Sequence, residues 1–276
     1  MSATKSVIKP TIRFTVKSTI KSIVPQPLRA SLWELRNQSI AYRQDLSYRI
    51  RGLRYQGDAV FCPCCRGQFS QFLPAGVDNR ANSECPRCVS RERHRLIWLY
   101  LETQTNFFRD RLKVLHIAPE LLFQKKFVQM PNLDYISADL DSPLAMVKMD
   151  ITQIPDQDNT FDVILCNHVL EHVPDDHKAM QELYRVLKPT GWAILQVPID
   201  LNRETTFEDL SITDLAERER LFGQKDHLRW YGRDYADKLR AAGFTVKVDD
   251  YVNTLDGATI QHYGLRPDHK IYFCTK

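Results

Sequence analysis

The chain has 276 residues, 43% hydrophobic and 26% charged, with a formal net charge of +4, ten glycines and seven cysteines. Its length suits one α/β domain with an appended module, or two small domains, and no stretch approaches the ~20 apolar residues needed to cross a bilayer. No glycine occurs between Gly76 and Gly191, so a glycine-rich phosphate loop is excluded there. Residues 1–57 carry eleven Lys or Arg against Glu34 and Asp45, a balance of +9, while the remaining 219 carry 27 basic and 32 acidic residues, or −5. A basic arm therefore precedes a mildly acidic body.

Within the arm, Ile8, Ile12, Val16, Ile20 and Val24 recur every four residues, and Lys5, Lys9, Arg13, Lys17 and Lys21 do so one step out of phase. On a helix this gives an apolar stripe beside a basic one, suited to peripheral membrane contact through residues 5–24. A strand, a poorly ordered basic tail and an organelle transit peptide stay open as alternatives. Pro25 and Pro27 break the segment, and residues 28–54 read as an Arg-rich amphipathic helix. The N-terminus lacks the apolar core of a secretory signal, so the expected location is cytoplasmic, with membrane association through the arm as an option.

Cys62-Pro63-Cys64-Cys65 is followed after nineteen residues by Cys85-Pro86-Arg87-Cys88. In a reducing compartment, paired Cys-x-x-Cys turns read as a metal site. Cys62, Cys65, Cys85 and Cys88 share the same spacing and are the expected ligands of a structural zinc, with Cys64 as the odd member. Such a closed four-thiolate shell folds its module rather than performing chemistry. Disulfides or unbound thiols are the bland alternative.

A helix is expected from Arg91 to Thr103. From Lys113 the pattern alternates between strands (113–118, 134–138, 145–149, 161–166, 191–197, 244–249 and 270–275) and helices (119–129, 176–187 and 232–242), as in a parallel α/β sheet. Thr190-Gly191 and Ala242-Gly243 read as helix stops leading into strands. The expected divisions are an arm over 1–57, a cysteine module with its linking helix over 58–110, and a sheet domain over 111–276.

The stretch Asp150-Ile-Thr-Gln-Ile-Pro155, Phe161-Asp-Val-Ile-Leu-Cys-Asn-His168, Val169-Leu-Glu-His-Val173 and Leu183-Tyr-Arg-Val-Leu-Lys-Pro-Thr-Gly191 resembles class I S-adenosylmethionine-dependent methyltransferases of the Leu-Glu-His type. The resemblance covers roughly residues 110–276. It implies an α/β, Rossmann-like seven-stranded sheet, here with a small N-terminal zinc-binding module and a helical basic arm. Phe72-Leu-Pro-Ala-Gly76, Cys85-Pro-Arg-Cys88 and Arg91-Glu-Arg-His94 look like a zinc-binding N-terminal region found on some bacterial methyltransferase-like proteins.

Carried over by position, the resemblance assigns the first cofactor loop to His116, Ala118, Pro119 and Glu120. It assigns the ribose acid and its neighbour to Asp139 and Leu140, the adenine loop to Asp150 and Ile151, and the reacting end to Asn167 and His168. A carboxylate suits the ribose because it offers two acceptor oxygens to adjacent hydroxyls. The family's acid-x-Gly-x-Gly loop is replaced here by His116-Ile-Ala-Pro-Glu120, so Ala118 adds a Cβ and Pro119 removes an amide donor. His168 and His227 are the candidate bases, since histidine titrates near neutrality, and His227, Arg229 and Tyr231 are candidates for the acceptor pocket.

The tetrapeptide that marks methylation of planar amino groups is replaced by Cys166-Asn-His-Val169, which favours an oxygen or aliphatic acceptor on a small-molecule or glycan-like substrate. Two alternatives are carried. One is an RNA methyltransferase holding nucleic acid through the zinc module and basic arm, and the other is a catalytically silent methyltransferase-like binding protein.

Overall fold

A computed structural model describes residues 46–76 and 79–276, and the expectations for residues 1–45 lie outside them. The chain divides into two units, 1–54 and 55–276. Of the first, the described part is helical over 46–54.

The second unit is organised by a seven-stranded sheet built from β5 (Leu112–Ile117), β6 (Leu133–Asp139), β7 (Val147–Lys148), β8 (Phe161–Asn167), β9 (Leu187–Gln196), β12 (Thr245–Asp249) and β13 (Ile271–Thr275). Its order is β12-β13-β9-β8-β5-β6-β7. β13 runs antiparallel to both neighbours, and the other pairings are parallel. β5 and β8 are buried along nearly their whole length, as central strands covered on both faces must be. The edge strand β12 is partly exposed throughout. From β5 the chain proceeds to β6 and β7 on one side, then returns to β8 on the other. The carboxyl ends of β5 and β8 therefore flank the switch point, where ligands bind in such sheets.

Helices α1 (Glu92–Thr103), α2 (Leu121–Phe127), α3 (Asp176–Val186), α4 (Leu215–Phe222), α5 (Tyr235–Ala241) and α6 (Gly257–His262) complete the unit. The predicted helix 119–129 begins only at Leu121, because Pro119 and an extended Glu120 precede it. Thr190-Gly191 is not a helix stop. α3 ends at Val186, Leu187 turns extended, and Gly191 lies inside β9. A Cβ on Gly191 would stand 2.7 Å from the Asp162 carbonyl of β8, so glycine permits strand contact rather than a turn. The predicted strand 145–149 contracts to Val147–Lys148.

The cysteine segment forms two small antiparallel pairs, β1 (Gln56–Cys62) with β2 (Gly67–Phe69) and β3 (Leu73–Ala75) with β4 (Arg80–Glu84). Val60, Phe69, Phe72, Leu96 and Trp98 join Val114, Trp192 and Ile271 in one buried cluster. A second cluster fills the opposite face of the sheet, from Leu115 and Ile164 to Tyr235 and Phe244. Residues 58–110 thus share a continuous core with the sheet. Among the described residues, no helix is long and apolar enough to cross a membrane.

Candidate functional site

The two cysteine turns are built alike. Arg66 N donates to Cys62 O at 2.7 Å and Val89 N to Cys85 O at 3.0 Å, and both Arg66 (φ 54°) and Val89 (φ 55°) adopt the left-handed conformation that closes each turn. Cys62 and Cys88 Sγ stand 3.6 Å apart and Cys65 and Cys85 Sγ 3.7 Å, with all four sulfurs within 4.8 Å of one another. A tetrahedral shell with metal–sulfur bonds of ~2.3 Å has sulfur–sulfur edges of about 3.8 Å, so the donor set fits such an ion. Cys64 points elsewhere, its Sγ facing His94 O at 3.6 Å.

At the switch point, His116 of β5 is wholly buried. Its Nδ1 pairs with Tyr135 Oη and its Nε2 with Glu120 Oε2, both at 2.9 Å. Burial opposes ionisation of Glu120, but the His116 hydrogen bond and charge outweigh it and hold the carboxyl at about 2. His94, from α1, brings Nε2 to 3.9 Å from Glu120 Oε1. Burial lowers His94 to about 3, so the ring is neutral at pH 7. Its Nδ1 accepts from Arg91 N at 3.1 Å, which puts the proton on Nε2, toward Glu120. Glu120 is therefore anchored through His116, with the neutral His94 ring beside it beyond hydrogen-bond distance.

Ala118 has φ 45°, a backbone state in which glycine is the unstrained choice. Ala118 therefore carries backbone strain that a glycine there would not. Asp139 ends β6, and its Oδ1 accepts from Asp141 N (2.8 Å) and Ser142 N (2.7 Å), a tight turn whose described bonds use only one carboxylate oxygen. Asp150 Oδ1 accepts from Thr152 N and Oγ1, both at 2.8 Å, bonds that hold this exposed acid below its ordinary value. Ile151 is buried beside it, and Leu140 is exposed.

Asn167 closes β8, buried, with neither amide atom hydrogen-bonded among the described residues. A buried polar side chain in that state marks a place where a ligand or water completes the bonding. His168 follows with φ 56°, its N–H donating to Gln196 O at 2.7 Å. The short 3-10 turn Leu170–His172 then presents Glu171 and His172. Leu228 N donates to Glu171 O at 2.9 Å, bringing the distant segment around His227 onto this turn.

Arg229 and Tyr231, expected to line an acceptor pocket, are both enclosed, with their polar atoms bonded within the protein. Arg229 is buried, donating to Leu170 O, Val173 O, Pro174 O and Glu208 Oε2. Tyr231 Oη donates to Asp176 Oδ2 at 2.7 Å and is fully enclosed. Both use their polar atoms to hold the 170–176 segment, and His227 is buried beside the turn bearing Glu171 and His172. Its Nδ1 faces Phe222 O at 3.0 Å, and burial lowers its basicity.

Sequence reasoning missed the joining of Glu171 and His172 to His227, which are 55 or more residues apart in the chain. It also missed the entry of His94 from the cysteine side. The His168-x-x-Glu171-His172 run was the local signal for the first. Nothing local announces the second.

Residues 106–195 match a family described as a methyltransferase domain. Over 115 residues the chain is 32% identical to the mitochondrial arginine-hydroxylase NDUFAF5 of Danio rerio, covering 40% of this chain and 35% of that protein. Over 140 residues it is 30% identical to the ubiquinone/menaquinone biosynthesis C-methyltransferase UbiE of Idiomarina loihiensis, covering 44% of this chain and 52% of the relative. The chain thus spans between about a third and a half of these relatives' lengths. An S-adenosylmethionine-dependent methyltransferase structure from Mesorhizobium loti is 12% identical, covering 65% of this chain and 97% of that one with a TM-score of 0.47.

Proposed function

We propose that the chain is an S-adenosylmethionine-dependent methyltransferase acting on an oxygen or aliphatic acceptor of a small-molecule or glycan-like substrate. The observation that carries this reading is the methyltransferase-domain match over 106–195, which coincides with the strands whose carboxyl ends meet at the switch point. Asn167, buried with both amide atoms unpartnered, supplies the incomplete bonding that a cofactor's polar groups would satisfy. In this reading Asp139 and Leu140 hold the ribose, Asp150 and Ile151 meet the adenine, and the backbone at Ala118 and Pro119 with Asn167 and His168 flanks the methionine end. Glu120, anchored by His116, serves the loop's shape and its negative potential rather than reaching out as a lone acid. Bound S-adenosylmethionine would supply an electrophilic methyl group. The chain's own contribution is to position the acceptor and to accept a proton where the acceptor carries one, through His168, or through His227 when its Nε2 is not bound to an ion.

Four thiol groups at tetrahedral spacing support a structural zinc on Cys62, Cys65, Cys85 and Cys88. Its role in this reading is to fix the β1–β4 segment.

The test is calorimetric titration of the folded full chain with S-adenosylmethionine. One molecule should bind per chain. Asp139→Ala should weaken binding by about 10–100-fold, the worth of losing hydrogen bonds to a charged acceptor. No binding by well-folded protein overturns the enzyme reading in favour of a silent binding protein. An unchanged dissociation constant in Asp139→Ala removes the ribose assignment. Because one relative is named an arginine-hydroxylase, mass spectrometry of any modified acceptor should distinguish gain of a CH2 group from gain of an oxygen atom.

A further inference from the structure

Glu171 is 1% exposed, and neither carboxylate oxygen has a hydrogen-bond partner among the described residues. His168 Nδ1 stands 3.3 Å from Oε1, but without hydrogen-bond geometry. A carboxylate buried without hydrogen bonds is disfavoured unless a cation completes it. Two imidazoles close on the same point. One donor atom from each of Glu171, His172 and His227 lies within 4.8 Å of the others, and the two rings sit edge to face with centroids 4.8 Å apart.

The outer bonds of both rings are set for metal ligation. His227 Nδ1 faces Phe222 O at 3.0 Å, and His172 Nδ1 faces both Asp226 O (3.1 Å) and Asp226 Oδ2 (3.3 Å). A nitrogen facing only acceptors carries the proton, which leaves each Nε2 lone pair as the donor. Metal-bound histidines usually have this second bond, to a carbonyl or carboxylate that fixes the tautomer. The backbone reinforces the arrangement. Leu228 N is tied to Glu171 O, and Arg229 clamps the carbonyls of Leu170, Val173 and Pro174, so the segment bearing His227 is held against the turn bearing the other two donors.

We infer that Glu171, His172 and His227 form a second metal site, for a divalent first-row transition ion, distinct from the four-cysteine cluster. Two imidazoles and one carboxylate suit such ions, and a three-residue set leaves coordination positions open for an exogenous oxygen ligand. His168, with 29% of its side chain exposed, lines the same spot. Ion binding itself stands apart from the proposed activity. Only the role of the open positions, to hold and orient an oxygen of the methyl acceptor, rests on that reading.

The probe is Co²⁺, titrated into full-length protein whose cysteine cluster is first loaded with zinc, and followed by absorption. One Co²⁺ per chain should bind with ligand-field bands of nitrogen and oxygen donors and no thiolate charge-transfer band, with or without S-adenosylmethionine. His172→Asn and His227→Asn should each weaken binding by more than about 10-fold, the lower end of what outer-shell changes already cost. Glu171→Gln should abolish it. His177→Asn, an exposed histidine on α3, should leave it unchanged. Near-ultraviolet circular dichroism checks the fold of each variant, and His172, a third exposed, carries the test if a buried substitution fails to fold. Absence of a second ion at millimolar Co²⁺, or undiminished binding in folded His172→Asn, overturns the site. Loss of S-adenosylmethionine binding with Co²⁺ binding intact would instead overturn the activity reading.

Discussion

At the residue scale, Glu120 shows how a departure from the family pattern is absorbed. Where the resemblance places a free acid among glycines, this chain sets a carboxylate between His116 and His94 and accepts left-handed backbone at Ala118. The arrangement has a pH signature. With the folded-state value at about 2 against an ordinary 4.5, the ionised Glu120 adds stability above pH 4.5, and that increment disappears as pH falls toward 2. Glu120→Gln should therefore be less stable than the parent by about 2–3 kcal/mol at pH 7 in urea denaturation. The gap should close progressively between those two pH values. A gap that stays constant across this window would show that Glu120 stabilises by shape and not by charge. The unpartnered pair of atoms on Asn167 belongs to this scale too, since its place just past the strand read over 161–166 was legible while its lack of bonding partners was not.

At the element scale, the legible parts were those with a repeating local cause. Buried runs such as Val114–Ile117 and Val163–Cys166 announced the central strands, and α3 showed its amphipathic period. The three-residue strands β2 and β3, the two-residue strands β10 (Phe207–Glu208) and β11 (Arg229–Trp230), and the six-residue α6 are too short for any period to accumulate. Gly191 reads wrongly as a stop because a glycine required by strand contact and one required by a helix end look alike in sequence. Asp139 and Asn167 were legible at strand ends, while Asp150 stands two residues past β7, which closes at Lys148. The meeting of Glu171 with His227 was not legible, because it depends on Arg229 folding its segment back onto the 3-10 turn. The two glycines around α6 test the same distinction. A Cβ added at Gly257 would meet open space, whereas Gly264 has φ +56° and a Cβ there would come within 2.6 Å of the buried Phe72 ring. Thermal denaturation should find Gly257→Ala neutral or stabilised by up to about 1 kcal/mol. Gly264→Ala should lose about 2–4 kcal/mol through backbone strain and overpacking, and similar melting of the two variants would refute this account.

At the scale of the whole molecule, the cysteine segment and the sheet depend on one another. Arg95, wholly buried over the Phe72 ring, donates to Ser83 O and Ser90 O in the cysteine segment and to Tyr263 O and Gly264 O near the C-terminus. The cluster that contains Cys62, Cys64 and Cys85 continues without a break to Trp192 and Ile271 of the sheet. From the same helix, His94 faces Glu120 in the first loop of the site. An ion on the four thiolates would therefore stabilise the whole second unit rather than a detachable module. Structural zinc contributes about 10–16 kcal/mol of apparent binding free energy, comparable with or larger than the ~5–15 kcal/mol that holds a typical domain together. Stripping the metal from full-length protein with a chelator should thus abolish the single cooperative calorimetric transition, and readding zinc should restore it. Tryptophan fluorescence provides a second reading, because Trp98 and Trp192 lie in the shared core and should lose their buried environment together. If the stripped protein instead retained a sheet transition at an unchanged temperature, the cysteine segment would be an independent folding unit, and the continuity of the core would carry no energetic coupling.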